Sequence, residues 1–363
     1  PTSSALVGTD IRVTTDDGSP VELARELVFA SSTAQTGELH FKANSISSTT
    51  NTVFRIYYNG TTTGDYVTRA TYGAQNVWTN DYVSVWHLDE GDSTAAGFYK
   101  DSTSNRYTGT LTDADGDSIS ALGRLGGGVD FNGDADFISF VGAETIQNNF
   151  TTSMWAKPYQ THEIDAETTT VVNGTSGQRW LYQSFPGTGA NALISFGTNG
   201  ISNYEHAGGY MPSTLVYSPG TDTNWQYVTM AYSNKQPTLY KNGSAVRTGL
   251  TSPRTSVNVV ESGATHSIGG GQYGYHDGEI DEVRIASTTR SAAWISAEYA
   301  NQSTTTNFYT AAAIEVINVS GTVYADAGVT TETSNPTVRL VVGGSSTTTV
   351  ADGSGNFAFS STT

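Results

Sequence analysis

The stretch Gly278-Glu279-Ile280-Asp281-Glu282-Val283-Arg284-Ile285 constrains the fold more than any other part of this chain. Apolar and charged residues alternate along it, the period of a strand with one face on a core. The alternation has a fault, because Ile280 and Val283 differ in parity. A β-bulge repairs such a fault, as does burial of one of the charges against a cation. Downstream, Ser291 is placed to cap a short helix over 291–301, with Trp294, Ile295 and Tyr299 on one side.

Runs of the same kind recur through the middle of the chain. Strands are predicted at Tyr82–Leu88, Gly128–Phe131, Phe137–Phe140, Thr151–Lys157, Arg179–Ser184, Ala192–Phe196, Trp225–Ser233, Thr238–Lys241 and Thr265–Gly269. Gly-rich turns separate them and no long helical period intervenes, which favours a sandwich over an α/β fold. Lys241-Asn242-Gly243-Ser244 reads as a hairpin turn.

Composition narrows the setting. The net charge of −17 comes from 17 Lys and Arg against 34 Asp and Glu, with only 14% of residues charged. That charge disfavours nucleic acid and anionic membrane as partners. The chain has no cysteine, so disulfide frameworks and thiolate metal sites are excluded. No apolar run is long enough to span a bilayer, so membrane insertion is not expected. The abundance of Ser, Thr, Gly and Asn suits a β-rich protein that is secreted and extracellular. The abrupt start at Pro1 and the strand-like end at Thr363 suggest a piece of something longer.

Three segments are expected. Residues 1–78 form an N-terminal β-rich domain, with strand-like runs at Ile11–Val13, Glu38–Lys42 and Val53–Tyr58, the last closed by an Asn59-Gly60 turn. Glu22–Phe29 reads as either a helical turn or a strand. Residues 79–310 hold the main sandwich. Residues 311–363 follow a Ser/Thr/Asn linker and hold runs at Ile317–Tyr324, Thr337–Val342, Thr347–Val350 and Phe357–Phe359. Four strands are too few for a closed sandwich, so this module is either truncated or completed by a strand from another chain.

Several motifs appear in a fixed order: Trp86-His87-Leu88-Asp89-Glu90, Asp101-Ser102, Val129-Asp130-Phe131-Asn132-Gly133, Ser153-Met154-Trp155, Leu239-Tyr240-Lys241-Asn242-Gly243 and the 278–285 stretch. Together they resemble the LamG-like jelly roll of the concanavalin A-like lectin/glucanase superfamily, over roughly residues 79–300. The runs around Thr9–Val13, Leu39–Lys42 and Ile56–Gly60 resemble a domain of unknown function that precedes such modules in bacterial surface proteins, which implies a location at the cell surface but no chemistry. The Asp352–Phe357 turn resembles those of carboxypeptidase-regulatory-like or Ig-type sandwiches. The fold expected is therefore all-β: a concanavalin-like jelly-roll sandwich flanked by an N-terminal β domain and a small partial C-terminal β-sandwich.

The resemblance implies a structural calcium gripped by the Asp of the final strand, which matches Asp281, with Asp89, Glu90 and Asp101 as neighbours. The alternative is that Asp281 and Glu282 pair with Arg284 or Arg124, or are merely solvated. It also implies a test for catalysis. His162-Glu163-Ile164-Asp165-Ala166-Glu167 resembles the motif of laminarinase-type β-glucanases, which would make Glu163 the nucleophile, Asp165 its helper and Glu167 the acid/base. No flanking Trp or Gly accompanies that segment, and an acidic loop is the expected reading, so no enzyme is expected. Asp113-Ala114-Asp115-Gly116-Asp117 lacks an EF-hand's twelfth-position Glu and reads as an acidic turn.

No two of the six histidines are spaced i,i+2 or i,i+4, so no zinc or copper site is indicated. Tyr204, His206, Tyr210, Tyr217, Tyr273, Tyr275 and His276 lie in two stretches able to meet at one rim. There, aromatic rings stack on sugar faces; equally, they cover the end of a sandwich. The function expected is a non-catalytic adhesion or carbohydrate-binding module whose partner is a glycan or a surface-protein ligand. The alternative is a structural subunit of an extracellular filament or surface layer, a homopolymer through the C-terminal module.

Overall fold

The structure is a computed structural model that describes residues 8–31, 33–34, 36–47, 49–58, 64–116, 119–184, 189–220, 223–312, 319–342 and 345–359. The expected turn at Asn59-Gly60, the start of the run at Ile317 and Asp117 lie outside the described residues. The chain divides into two compact units. One comprises Val13–Arg55 and Tyr66–Phe308 and carries the sandwich.

Within that unit, one eight-stranded sheet runs in the order Ser244–Thr248, Gln236–Lys241, Gln226–Ser233, Phe150–Pro158, Asp277–Ala286, Gly127–Asn132 and Ser120–Leu122, with Tyr82–Trp86 also paired to Asp277–Ala286. A ten-stranded sheet centres on Ala190–Gly197, Trp180–Ser184, Thr265–Ile268 and Phe137–Val141, with Gly200–His206 and Ser213–Tyr217 attached beyond Ala190–Gly197. Between them lies one large apolar core that includes Trp86, Phe131, Phe140, Phe150, Tyr182, Phe196, Tyr232 and Ile280. Phe150 stacks on Tyr232 with ring centres 4.5 Å apart. Such a pair adds roughly 1 kcal/mol beyond the area it buries. The fold is the expected all-β jelly-roll sandwich.

The parity fault in 278–285 is repaired in both of the ways the sequence allowed. Trp155 faces Asp281 while Ser153 faces Arg284, so two residues, Glu282 and Val283, oppose Met154 alone. Glu282 sits in this bulge at φ +52°. Ile280, Val283 and Ile285 consequently all reach the core. Glu282, fully buried, is paired with Arg284.

Local signals behave as their chemistry dictates. Asn242 and Gly243 take φ +50° and +76°, the left-handed pair of a type I′ hairpin. The helix runs Ala292–Ser303, and the Ser291 hydroxyl accepts from the Trp294 amide at 3.2 Å. Ile295 is its buried anchor, and it covers the outer face of the eight-stranded sheet through Trp155 Nε1, which donates to Gln302 Oε1 at 2.7 Å. No helix among the described residues is long and apolar enough to cross a membrane.

The other unit includes Tyr309–Thr363. In it Val319–Thr322 pairs with Asn356–Phe359, and Thr337–Val342 pairs with Ser345–Val350.

Candidate functional site

Charged and imidazole groups from five segments converge inside the larger unit. The Glu282 carboxylate accepts from His87 Nδ1 and from Arg284 Nη2. His87 follows the Tyr82–Trp86 strand directly, and its Nε2 lies 3.3 Å from Glu26 Oε2. Glu26, on Arg25–Ser31, also accepts from Trp78 Nε1 and from Ser102 Oγ. Glu38 and His40 stand two apart on Thr36–Phe41, hence on one face, with His40 Nε2 2.6 Å from Glu38 Oε1. The His40 and His87 rings stack at 5.0 Å, and Arg284 continues to Glu298 Oε1 at 2.8 Å.

The electrostatics follow from that arrangement. Burial opposes the charge on His87, yet Glu282 and Glu26 hold its pKa well above an ordinary histidine's. Burial also opposes the charge on Glu282, and His87 and Arg284 hold its pKa well below the carboxylate range. Burial and repulsion from Glu282 raise Glu38. The same two causes raise Asp281 well above its usual range. Spacing among the histidines gave no sign of this centre. The signal present was Glu38-Leu39-His40, a carboxylate and an imidazole on one strand face.

The four carboxylates expected around calcium mostly serve the chain's own amides. Asp101 accepts from the Val85, Thr103 and Tyr107 amides and from Thr103 Oγ1, at 2.8–3.2 Å, so it organises its loop rather than facing a cation. Glu90 caps the Lys100 amide at 2.7 Å. Asp89 and Asp281 do approach a common turn: Asp89 Oδ1 accepts from Gly127 N at 2.7 Å and Asp281 Oδ2 from Leu125 N at 2.8 Å. Asp281 Oδ1 is buried and has no hydrogen-bond partner. Burial raises the pKa of Asp89, Glu90 and Asp101.

The two aromatic stretches meet in part. Tyr204 lies in an apolar cluster with Trp180, Leu193 and Met211, against which Tyr273 packs. His206 meets Tyr273 edge to face at 5.9 Å, and Tyr275 stacks on Phe137 at 6.2 Å. Tyr204 and His276 are fully buried, so neither offers a ring face to a ligand from solution. Burial, then Arg179, lowers the His276 pKa to about 3. Tyr210 lies in a separate cluster with Ala190 and Ala207, under the Arg254 guanidinium at 4.8 Å. Tyr217 packs against the main core.

The glucanase-like segment is not a strand. Residues 161–166 are irregular and Glu167 makes one isolated bridge, to Ser213. Asp165 accepts from Tyr204 Oη at 2.7 Å and Gln178 Nε2 at 3.3 Å, while Glu167 binds Arg247 through both oxygens at 2.9 Å. The alternation that would point three carboxylates to one face therefore does not form.

Residues 132–296 match the family model Laminin_G_3, described as the concanavalin A-like lectin/glucanases superfamily. No curated protein matches the chain. Among solved structures, it is similar to domain 4 of AbnA, an extracellular GH43 arabinanase from Geobacillus stearothermophilus, in complex with arabinotriose. That likeness has 20% identity and a TM-score of 0.42, and covers 59% of this chain and 96% of that one. It is also similar to the binding domain of Paraclostridial Mosquitocidal Protein 1, at 12% identity and a TM-score of 0.42 over 60% of this chain and 52% of that one. The Botulinum Neurotoxin serotype G binding domain matches at 15% identity and a TM-score of 0.44, over 62% of this chain and 52% of that one. The match thus spans about half the length of the two toxin binding domains.

Proposed function

From the concanavalin A-like lectin/glucanase domain that residues 132–296 form, we propose that this protein is a non-catalytic carbohydrate-binding module of a secreted bacterial surface protein, acting in adhesion. Tyr273 carries the reading. It sits at φ +81° in the tip between Gly270–Gly271 and Gly274–Tyr275. A bulky residue held there costs roughly 1–3 kcal/mol, and strain of this kind concentrates at ligand clamps. Its ring is half-buried, braced by the edge of His206, and Tyr275 stands two residues on against Phe137. Two supported, partly exposed rings suit the apolar face of a pyranose. A glycan array tests this: binding by the native chain that Tyr273→Ala abolishes, with melting temperature retained, supports the proposal, and no glycan bound by either rejects it.

Calcium belongs to the same proposal through Asp281 and Asp89. A Cβ on Gly127 would come within 2.4 Å of Asp89 Oδ1, and one on Gly123 within 2.6 Å of Asp281 Oδ2, so the two glycines leave these carboxylates room beside the turn. Calcium would supply charge compensation for the buried Asp281 Oδ1, and Asp281→Asn should remove any calcium-dependent rise in melting temperature.

A second reading has its own support. The Thr337–Val342 and Ser345–Val350 pair exposes Val341 and Val350, each 61% accessible, in a two-stranded sheet whose edges no further strand pairs among the described residues. Such edges invite strand addition from another copy, as in a filament or surface-layer subunit. Light scattering with negative-stain imaging decides: regular assemblies support this reading, and a monodisperse monomer opposes it.

A further inference from the structure

We propose that Glu38, His40, His87 and Glu282 form a structural site for a zinc-class divalent metal ion, which fastens the hairpin of Arg25–Phe41 to the jelly roll. The proposal does not rest on the glycan reading. One ligand atom from each of the four residues lies within 4.8 Å of all the others. In a tetrahedral zinc site with bonds of about 2.1 Å, ligand atoms stand about 3.4 Å apart. Three of the separations are already near or below that value: His40 Nε2 to Glu38 Oε1 at 2.6 Å, His87 Nδ1 to Glu38 Oε1 at 3.6 Å, and the hydrogen-bonded pair His87 Nδ1 and Glu282 Oε1. Occupation therefore needs side-chain adjustments within one small cage and no new backbone course.

The donor set selects the ion. Two imidazoles and two carboxylates suit zinc and its first-row neighbours, whereas calcium and magnesium take oxygen throughout. The two carboxylates balance the charge of a divalent ion, and ligation replaces the proton that His87 Nδ1 shares with Glu282.

The surroundings are those of ligands held for a metal. His87 turns its other nitrogen, Nε2, to Glu26 Oε2, and Glu282 turns its other oxygen, Oε2, to Arg284. A carboxylate behind a ligating histidine fixes which nitrogen faces the ion. Glu26 is itself fixed by Trp78 and Ser102. Four protein ligands in a buried setting leave no open position, so the site is structural rather than catalytic. Its ligands come in pairs from two sources: Glu38 and His40 from the hairpin, and His87 and Glu282 from beside and within the strands of the eight-stranded sheet.

The test uses the full chain, free of any histidine tag and stripped with a chelator. Elemental analysis after zinc addition and dialysis is expected to give one zinc per chain. Cobalt substitution is expected to give the visible bands of a tetrahedral ion. His40 is 17% exposed, so His40→Ala is expected to stay folded, as is Glu38→Gln, with melting in chelator as the control. Both variants should lose stoichiometric zinc and the zinc-dependent rise in melting temperature, while Glu26→Gln weakens binding about 10–100-fold. Wild type that takes up no zinc, or both ligand variants keeping wild-type affinity, overturns the proposal. Stabilisation by calcium but not by zinc also overturns it, and leaves the calcium reading standing.

Discussion

Glu282 meets His87 across 195 residues of sequence because a bulge turns its side chain out of the strand's alternation. Without the bulge, either Ile280 or Val283 would leave the core, and Glu282 would face elsewhere. One backbone irregularity thus sets both the packing of the Asp277–Ala286 strand and the buried charge centre.

Glu282→Gln tests how far the centre depends on that carboxylate. The substitution keeps the shape but leaves the buried Arg284 and His87 without their shared counter-charge. Removing one partner of a buried pair typically costs 3–5 kcal/mol, so a loss of about that size is expected in urea unfolding. A change below ~1 kcal/mol would show that water already compensates these groups.

Gly278→Ala should be damaging for reasons of backbone alone. Gly278 stands at φ +139°, opposite Pro158, and a Cβ there would lie 2.1 Å from the Lys157 carbonyl oxygen. The clash is with backbone on the central strand pair, so neither partner yields easily. A loss of roughly 2–4 kcal/mol is expected in chemical denaturation.

Glu205 should make stability fall as pH rises through neutrality. Burial raises its pKa to about 7, with hydroxyl bonds from Ser252, Tyr210 and Tyr232 and the charge of Lys235 only partly offsetting it. The folded pKa exceeds the unfolded one, so the folded state binds the proton more tightly. This contribution is complete below about pH 4.5 and lost as pH rises through 7. Native minus Glu205→Gln stability should therefore decline by about 3 kcal/mol between pH 4.5 and 8. A difference independent of pH would place the Glu205 pKa in the ordinary range.

Local signals were legible because their physics is local. The parity fault announced the bulge, Asn242-Gly243 announced its turn, and Ser291 announced the helix start. The charge centre was not legible, because His87 and Glu282 meet through the pairing of distant strands and Glu38 reaches them from a separate two-stranded sheet. Aromatic residues misled for a related reason. Tyr204 on a strand reads the same whether its face is open or covered, and here Met211 and Trp180 cover it. Asp101 likewise reads as a metal ligand or as an amide cap, and only its four hydrogen bonds distinguish them.

The carboxylates of the 162–167 segment provide the last prediction. Asp165 is tied to Tyr204 and Gln178, and Glu167 to Arg247 and the Val216 amide, so two of the three groups already have fixed partners. A retaining glycosidase needs two carboxyl groups about 5–5.5 Å apart with a sugar between them, one of them free to attack. Asp165→Asn is expected to cost ~1–2 kcal/mol of stability through the weakened bond from the buried Tyr204 hydroxyl. Glu163→Gln is expected to leave melting unchanged. Neither substitution should alter the release of reducing sugar from β-glucans, for which the native chain is expected to show no activity. Hydrolysis by the native chain that disappears in Glu163→Gln would instead make this loop a catalytic one, and the binding-module reading would then be wrong.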